Sequence, residues 1–235
     1  MTRSNSDKNF ILGIDVGTSG CKVLLADRAG AVRASAVETY PLAQPRPGWT
    51  EQEPRSWWEA CCAACRRVLD TGVCGGADIA AVGLTGQMHS LVALDEAMEP
   101  IRPAILWNDQ RTTEQCREIQ ELAGGLDGLL GYTNNMMLTG YTGGKLLWLR
   151  EHEPENFRRL QAVLMPKDYL RYRLTGVLMT DVSDASGTGL FDVRQRRWAA
   201  ELLEKLALPE EIFPPVCESP DITGTVTEAA AAATG

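Results

Sequence analysis

The chain has 235 residues, a formal net charge of −8 and 44% hydrophobic residues. This length allows one large domain or two small ones, and the composition is that of a globular protein rather than a disordered or fibrous one. The acidic balance argues against nucleic acid as a partner, because proteins bind it mainly through Lys and Arg contacts to phosphates. Residues 1–9 are polar, unlike a signal peptide, and no apolar run is long enough to span a bilayer. We therefore expect a cytoplasmic protein with no membrane partner.

Three of the seven cysteines, Cys61, Cys62 and Cys65, lie in a segment with a helical pattern. No cysteine spacing matches a zinc site, so we interpret these residues as reduced, partly buried thiols. The alternative, a redox pair at Cys62 and Cys65, has the required spacing but lacks the βαβ context of such pairs.

The amino-terminal part of the chain predicts an antiparallel meander of three short strands. In chain order, the predicted strands are 10–14, 22–26, 32–40, 78–85, 91–94 and 162–165, and the predicted helices are 55–70, 111–123, 145–152, 166–174 and 198–206. A meander followed by alternating helices and strands predicts an α/β domain with a mixed sheet.

The first polar cluster is Asp15-Val16-Gly17-Thr18-Ser19-Gly20, between two predicted strands. Glycines allow backbone N–H groups to approach a phosphate without obstruction by a Cβ atom, and Thr18 and Ser19 add hydroxyl donors. Asp15 is suited to hold hydrated Mg²⁺ near the same phosphates. The same residues are ordinary in a plain hairpin turn, and the hexapeptide alone favours that interpretation.

Two further polar clusters have the chemistry of a sugar site. Gln87 and His89 follow the strand predicted over 78–85 and can exchange hydrogen bonds with hydroxyl groups. In Trp107-Asn108-Asp109, the indole face suits the C–H side of a sugar, and the amide and carboxylate suit its hydroxyls. The alternatives are a structural histidine at a turn, and a helix N-cap at Asn108 or Asp109.

Two glycine-containing segments are assigned no chemistry. Residues 140–152 enter a helix, lack the Walker pattern and carry a Leu and Trp stripe typical of a core. Residues 183–188 are interpreted as a small-residue turn.

The motifs, in this order, resemble those of the FGGY carbohydrate kinases. The matching segments are Ile14-Asp15-Val16-Gly17-Thr18-Ser19, Gly86-Gln87-Met88-His89, Leu106-Trp107-Asn108-Asp109, Lys145-Leu146-Leu147-Trp148-Leu149, Leu164-Met165-Pro166-Lys167-Asp168-Tyr169-Leu170 and Ser183-Asp184-Ala185-Ser186-Gly187-Thr188. They span nearly the whole chain. The resemblance implies a ribonuclease-H-like domain of the actin and hexokinase type, with a mixed five-stranded sheet and flanking helices.

The resemblance also implies ATP and Mg²⁺ as cofactors, and phosphate transfer to O5 of D-xylulose or a related ketose. The sugar is implied because the clusters at 87–89 and 107–109 are similar to those of the family's xylulose kinases. The implied site residues are Asp15 as the catalytic and metal-associated residue, Gly17, Thr18 and Ser19 at the nucleotide phosphates, Met88 and His89 at the sugar, and Trp107, Asn108 and Asp109 close by.

The chain departs from the family pattern at Ser90, Gln110 and Thr142-Gly143-Gly144, which leaves the preferred sugar open. Family members are longer, and their general base is an Asp in a Gly-Gly-Gly-Asp-Asn type motif that these 235 residues lack. We therefore expect a disordered tail over 1–9 and a kinase amino-terminal domain over 10–235, incomplete at its carboxyl end. We expect the carboxyl-terminal domain to be absent and the chain to be inactive alone.

Other functions remain open at this stage. One alternative is a non-catalytic sugar-binding or scaffold protein, and another is a chaperone-like ATPase of the wider actin group. A homodimer is also left open. If the chain turned over sugar unaided, Asp184 would be the first candidate for the missing base.

Overall fold

The computed structural model describes residues 9–235. The strands are β1 (Phe10–Val16), β2 (Gly20–Asp27), β3 (Val32–Thr39), β4 (Glu51–Gln52), β5 (Ile79–Gly86), β6 (Val92–Leu94), β7 (Ala104–Ile105), β8 (Ala162–Leu164), β9 (Thr180–Asp181), β10 (Phe191–Asp192), β11 (Arg197–Trp198) and β12 (Val216–Cys217). The α-helices are α1 (Pro54–Leu69), α2 (Thr113–Leu122), α3 (Gly125–Thr133), α4 (Thr142–His152), α5 (Pro154–Arg158), α6 (Pro166–Thr175), α7 (Val182–Ser186), α8 (Ala200–Lys205) and α9 (Glu228–Thr234). Of the tail expected over 1–9, residues 1–8 lie outside the described residues, and Asn9 donates its backbone N–H to Asp78 O at 3.1 Å.

The central sheet has the strand order β3-β2-β1-β5. The first three strands form the antiparallel meander that the sequence predicts, and β5 lies parallel to β1. A parallel neighbour needs a long crossover, which here contains α1. The sheet is therefore mixed, as predicted.

The expected fifth strand does not join this sheet, which has four strands among the described residues. Val92–Leu94 pairs instead with Ala162–Leu164, in a separate antiparallel pair. The chain turns at residues 87–90, where His89 takes a left-handed backbone conformation with φ 61°. This turn ends the β5 ladder, so that β6 takes β8 as its partner.

Two apolar clusters hold the described residues together. In the first, α1 packs against the meander, and Val23, Leu25 and Trp57 are completely buried. Cys61 and Cys65 lie in this core, and Cys62 is also buried, which confirms the prediction of buried thiols. The second cluster lies around α4, where Leu146, Leu147 and Leu149 are completely buried. Between residues 9 and 235, no helix combines the length and apolar character needed to cross a bilayer.

The two faces of the meander allow a matched test of the core. Val23 on β2 is completely buried, whereas Val37 on β3 is 50% exposed. We expect Val23→Ala to lower the free energy of unfolding by roughly 2 kcal/mol, since two methyl groups leave a close-packed core. Val37→Ala should lower it by less than about 1 kcal/mol. Urea titration followed by circular dichroism measures both, and equal losses would contradict this assignment of the core face.

Candidate functional site

An open cleft of about 320 Å³ lies where β1 and β5 end. It is lined by Asp15, Gly17, Thr18, Gly86, Gln87, Met88 and Trp107. The parallel register pairs Val16 with Gly86, so the polar segments that follow the two strands meet at one edge of the sheet. Trp107 joins them from the segment after β7. The cleft therefore combines one cluster predicted to bind phosphate with two predicted to bind sugar.

Gly86 permits the close approach of these segments. A Cβ atom at this position would lie 2.4 Å from Val16 Cγ1 and 3.0 Å from Val16 O. The next residue, Gln87, donates its backbone N–H to the same Val16 oxygen at 2.8 Å. Any side chain at residue 86 would therefore push the two strand ends apart.

The carbonyl groups of the β1–β2 turn point into the protein. Gly17 O accepts a hydrogen bond from Tyr40 Oη at 2.5 Å and one from Gln87 Nε2 at 3.4 Å. Thr18 O accepts a hydrogen bond from Gln52 Nε2 at 2.7 Å. In a planar trans peptide, the C=O of one residue and the N–H of the next point in opposite directions. The N–H groups of Thr18 and Ser19 are therefore directed away from these inward partners, as an anion-binding turn requires.

A buried glutamine pair fixes this arrangement. Gln52 Oε1 accepts hydrogen bonds from Trp57 Nε1 and from Gln87 Nε2, both at 3.1 Å. An indole nitrogen can only donate, so the Trp57 contact identifies the Gln52 oxygen and leaves the Gln52 amide nitrogen to face Thr18. Gln87 Oε1 is buried and takes no hydrogen bond from residues 9–235.

Two large side chains border the cleft and remain exposed. Met88 is 52% exposed and Trp107 is 42% exposed, so an apolar surface is available to a ligand. Trp107 Nε1 donates to Thr18 Oγ1 at 3.0 Å, which joins the predicted sugar side to the predicted phosphate side. Because Thr18 Oγ1 accepts this bond, the Thr18 hydroxyl hydrogen can be donated to a ligand oxygen.

His89 follows Met88 but is not among the residues that line the cleft. Its half-buried ring packs against Tyr141, with 4.6 Å between ring centroids. On the other side, a Cβ atom at Gly187 would lie only 2.4 Å from His89 Nδ1. Burial lowers the pKa of His89, and the Lys145 ammonium lowers it further, so the neutral imidazole is favoured at pH 7.

Asp109 is completely buried and forms an ion pair with Arg111. Its Oδ1 accepts hydrogen bonds from Arg111 N and Nε at 2.9 Å, and its Oδ2 accepts from Thr50 N at 2.6 Å. The helix-cap interpretation is wrong, since α2 begins at Thr113 with Thr112 as its N-cap. These bonds fix the loop that carries Trp107. The neighbouring Asn108 is half-buried, and its Oδ1 takes no hydrogen bond from residues 9–235.

Asp15 is the penultimate residue of strand β1 and does not belong to the turn that follows. Its neighbours Ile14 and Val16 are buried, whereas Asp15 is exposed on the opposite face of the strand. Its partner in the antiparallel register of β1 and β2 is Lys22. No group of three or more His, Cys, Asp or Glu side chains in residues 9–235 is arranged to hold a metal ion.

Asp184 belongs to a different cluster, outside the lining of the cleft. Its Oδ2 lies 3.2 Å from Lys167 Nζ, and Lys167 also pairs with Asp168 at 2.6 Å. Burial raises the pKa of Asp184 to about 6. The carboxylate is thus held by Lys167.

A family model described as "FGGY family of carbohydrate kinases, N-terminal domain" matches residues 10–235. The chain belongs to this FGGY family. It is 40% identical to the xylulose kinase of Bacillus subtilis over 226 residues, which cover 96% of this chain and 45% of that protein. The resemblance found in the sequence motifs is therefore confirmed, and the chain spans less than half the length of this relative.

Solved structures of FGGY proteins confirm the actin-like fold class. A xyloylose kinase from Brucella ovis matches with a TM-score of 0.89 at 37% identity, covering 94% of this chain and 46% of that chain. A gluconate kinase from Lactobacillus acidophilus matches with a TM-score of 0.88 at 30% identity, covering 96% and 45%.

Sequence reasoning missed the supporting residues of this FGGY site, above all Lys145. The side chain of Lys145 has no exposed surface, although lysine is rarely buried. Burial lowers the pKa of Lys145 to about 7, against a weaker opposite effect of Asp109 and Cys116. The available signal was a single cation in an otherwise apolar helical stretch, Lys145-Leu146-Leu147-Trp148-Leu149.

The lowered pKa of Lys145 predicts a pH dependence of stability. In the unfolded chain this lysine titrates near its ordinary value of 10.5, and in the folded chain near 7. Between these values the unfolded state binds one more proton, so the free energy of unfolding should rise with pH in this window, by up to about 1.4 kcal/mol per unit. Below pH 7 this lysine should no longer make the free energy of unfolding depend on pH.

Urea titrations of the native chain and of Lys145→Met at pH 7, 8, 9 and 10 measure this effect. The difference between the two unfolding free energies reports Lys145 together with its electrostatic effect on His89 and Cys116, because the groups that Lys145 does not affect cancel. If the unfolding free energies of the two proteins change with pH in the same way, burial does not destabilise the Lys145 ammonium.

Proposed function

We propose that this chain forms the sugar-binding part of an ATP-dependent kinase that phosphorylates D-xylulose or a related ketose at O5. The cleft that joins the β1–β2 turn, the end of β5 and Trp107 carries the proposal, because it brings donors suited to phosphate next to a surface suited to a sugar. Membership of the FGGY family supports the same conclusion. We further propose that the protein works in the cytoplasm.

The sugar would lie against Met88 and Trp107. An exposed indole offers its face to the C–H side of a sugar, and a thioether adapts to an irregular apolar surface. His89, Asn108 and the buried Gln87 oxygen supply polar groups beside them. Because Asp109 is completely buried, its role in this site is to hold the loop that carries Trp107.

The nucleotide phosphates would lie at Gly17, Thr18 and Ser19, whose peptide N–H groups are directed away from Tyr40 and Gln52. Asp15 fits a magnesium ion that keeps most of its water, since Mg²⁺ is commonly held by one or two carboxylates together with substrate phosphates. Bound ATP and Mg²⁺ would supply the phosphoryl group and neutralise its charge. The chain's own residues orient the phosphates and the sugar.

Phosphoryl transfer also needs a base that takes the proton of the sugar hydroxyl, and closure that excludes water. We propose that a second domain of the parent protein provides both, and that residues 10–235 form the first domain. Asp184 is a poor candidate for the base because Lys167 holds its carboxylate.

A second candidate substrate is another pentulose, a polyol or a sugar acid. The match to a gluconate kinase, at 30% identity, shows that a closely similar fold is found with a different named sugar. Ser90 and Gln110, which depart from the family pattern, lie beside the residues proposed to contact the sugar. A panel of pentuloses, polyols and gluconate distinguishes these substrates.

The sugar proposal is tested by the chain's two histidines. We expect the 235-residue chain to bind D-xylulose in calorimetry, and we expect His89→Asn to weaken binding roughly two- to tenfold, as for the loss of one hydrogen bond of about 0.5–1.5 kcal/mol. Asparagine tolerates the left-handed conformation that residue 89 requires, so the turn should persist. His152→Asn, on the exposed end of α4, is the matched control and should bind normally.

The metal proposal is tested at Asp15. Asp15→Asn keeps the shape and removes the charge, so the thermal midpoint of the chain should not change. In the full-length parent kinase, turnover should fall by roughly 100-fold, because charge neutralisation by a metal ion is worth several kcal/mol. Asp70→Asn, at an exposed position after α1, is the control. If the chain with Asp15→Asn unfolds at a lower temperature instead, Asp15 is a structural turn residue.

A further inference from the structure

We propose that Lys145 is a positioning residue that clamps the turn carrying Met88 and His89 to the turn carrying Gly140, and so sets the shape of the predicted sugar site. Lys145 acts on the backbone of these turns and need not touch the ligand itself. The identity of the ligand rests on the function proposed above, whereas the clamp rests on contacts within the chain.

The contacts come from one ammonium group. Lys145 Nζ donates to His89 O at 2.8 Å and to Gly140 O at 2.5 Å. Thr142 Oγ1 donates to the same His89 oxygen at 3.1 Å. Complete burial keeps water from competing for these bonds, and they are strongest below pH 7, where Lys145 carries its charge. Two donors on one carbonyl fix the direction in which the His89 peptide points.

This direction matters because His89 is held in an uncommon backbone conformation. Its φ of 61° lies in the left-handed region, which residues other than glycine, asparagine and aspartate mostly avoid. Such a conformation persists only where surrounding contacts determine it. Here the contacts are the two donors on the carbonyl and the packing of the ring on Tyr141.

The other end of the clamp reaches Trp107. A Cβ atom at Gly140 would lie 2.6 Å from Trp107 O, so the Gly140 turn lies directly against the backbone of Trp107. Lys145 therefore joins the backbone of His89 to the turn that supports Trp107. The proposed sugar contacts come from the turn that carries Met88 and His89 and from the Trp107 segment, which the Gly140 turn supports.

Stability alone does not explain a lysine at this place. Burial removes the ammonium from water, which is reflected in a pKa of about 7. Lys145 also lies near the amino-terminal end of α4, where the helix dipole disfavours a cation. A methionine would fill the same space without either penalty, but it would leave both carbonyl groups without these donors.

The experiment compares Lys145→Met with Lys205→Met, the same change at an exposed position on α8. Binding of D-xylulose is measured by calorimetry. The conformation of residue 89 is measured by NMR. A left-handed residue has a short distance between its own amide and Hα protons and therefore gives a strong NOE cross-peak between them. We expect Lys145→Met to remain folded, to weaken this cross-peak clearly and to bind D-xylulose more than tenfold more weakly. Lys205→Met should match the native chain in both measurements.

A second pair of variants keeps the test decisive if Lys145→Met does not fold. Thr142→Val removes the other donor to His89 O with little change of shape, and Thr142→Ser retains the hydroxyl. We expect the valine variant to weaken both the cross-peak and the binding, and we expect the serine variant to restore both. Rescue by serine is not expected of a residue that only fills space.

The outcomes separate the clamp from the function. A folded Lys145→Met variant that keeps the left-handed cross-peak and native affinity would overturn the clamp, and so would Thr142→Val and Thr142→Ser variants that behave alike. If the native chain binds no sugar of the panel, the proposed function fails, and the NMR measurement alone decides whether Lys145 holds the turn.

Discussion

The parallel pairing of β1 with β5 is the constraint on which the candidate site depends. Its register sets Val16 beside Gly86, and the chain then leaves both strands at the same edge of the sheet. The missing side chain of Gly86 allows the two ends to touch, and the Gln87 backbone bond to Val16 closes the contact. Segments that are about 70 residues apart in sequence, as for Gly17 and Gln87, thereby share one cleft.

The cleft is supported from behind by polar residues that do not face a ligand. Tyr40, Gln52 and Trp57 turn the carbonyl groups of residues 17 and 18 inward, and the Asp109–Arg111 pair fixes the loop that carries Trp107. The guanidinium of Arg111 is completely buried and lies 3.7 Å from the centre of the Trp49 ring. Ion pairs this deeply buried add little net stability, since desolvation offsets their attraction. Their effect is to define where the loops lie.

Local pattern was sufficient for much of the fold. The meander follows from alternating apolar residues and short turns, α1 begins at Pro54 where a proline is tolerated, and α6 ends before Gly176, which has a φ of 74°. The pairing of β6 with β8 was not predictable in the same way. Both are three-residue apolar segments, and their partner is decided by the turn at His89, which no local periodicity reveals.

The residues of the candidate site likewise fall into those that the sequence predicts and those that only the structure reveals. Asp15, Thr18, Met88 and Trp107 carry recognisable chemistry in the sequence, and the structure brings all four to the cleft. Lys145 and Gln52 carry no such signal, because their importance lies in which backbone oxygens they reach. In the sequence, Lys145 is only a cation among apolar residues. Its role becomes apparent when the structure shows its Nζ bonded to His89 O and Gly140 O. Residues proposed to contact a ligand are thus visible in the sequence by their type, whereas residues that hold the loops of the cleft become visible only through long-range geometry.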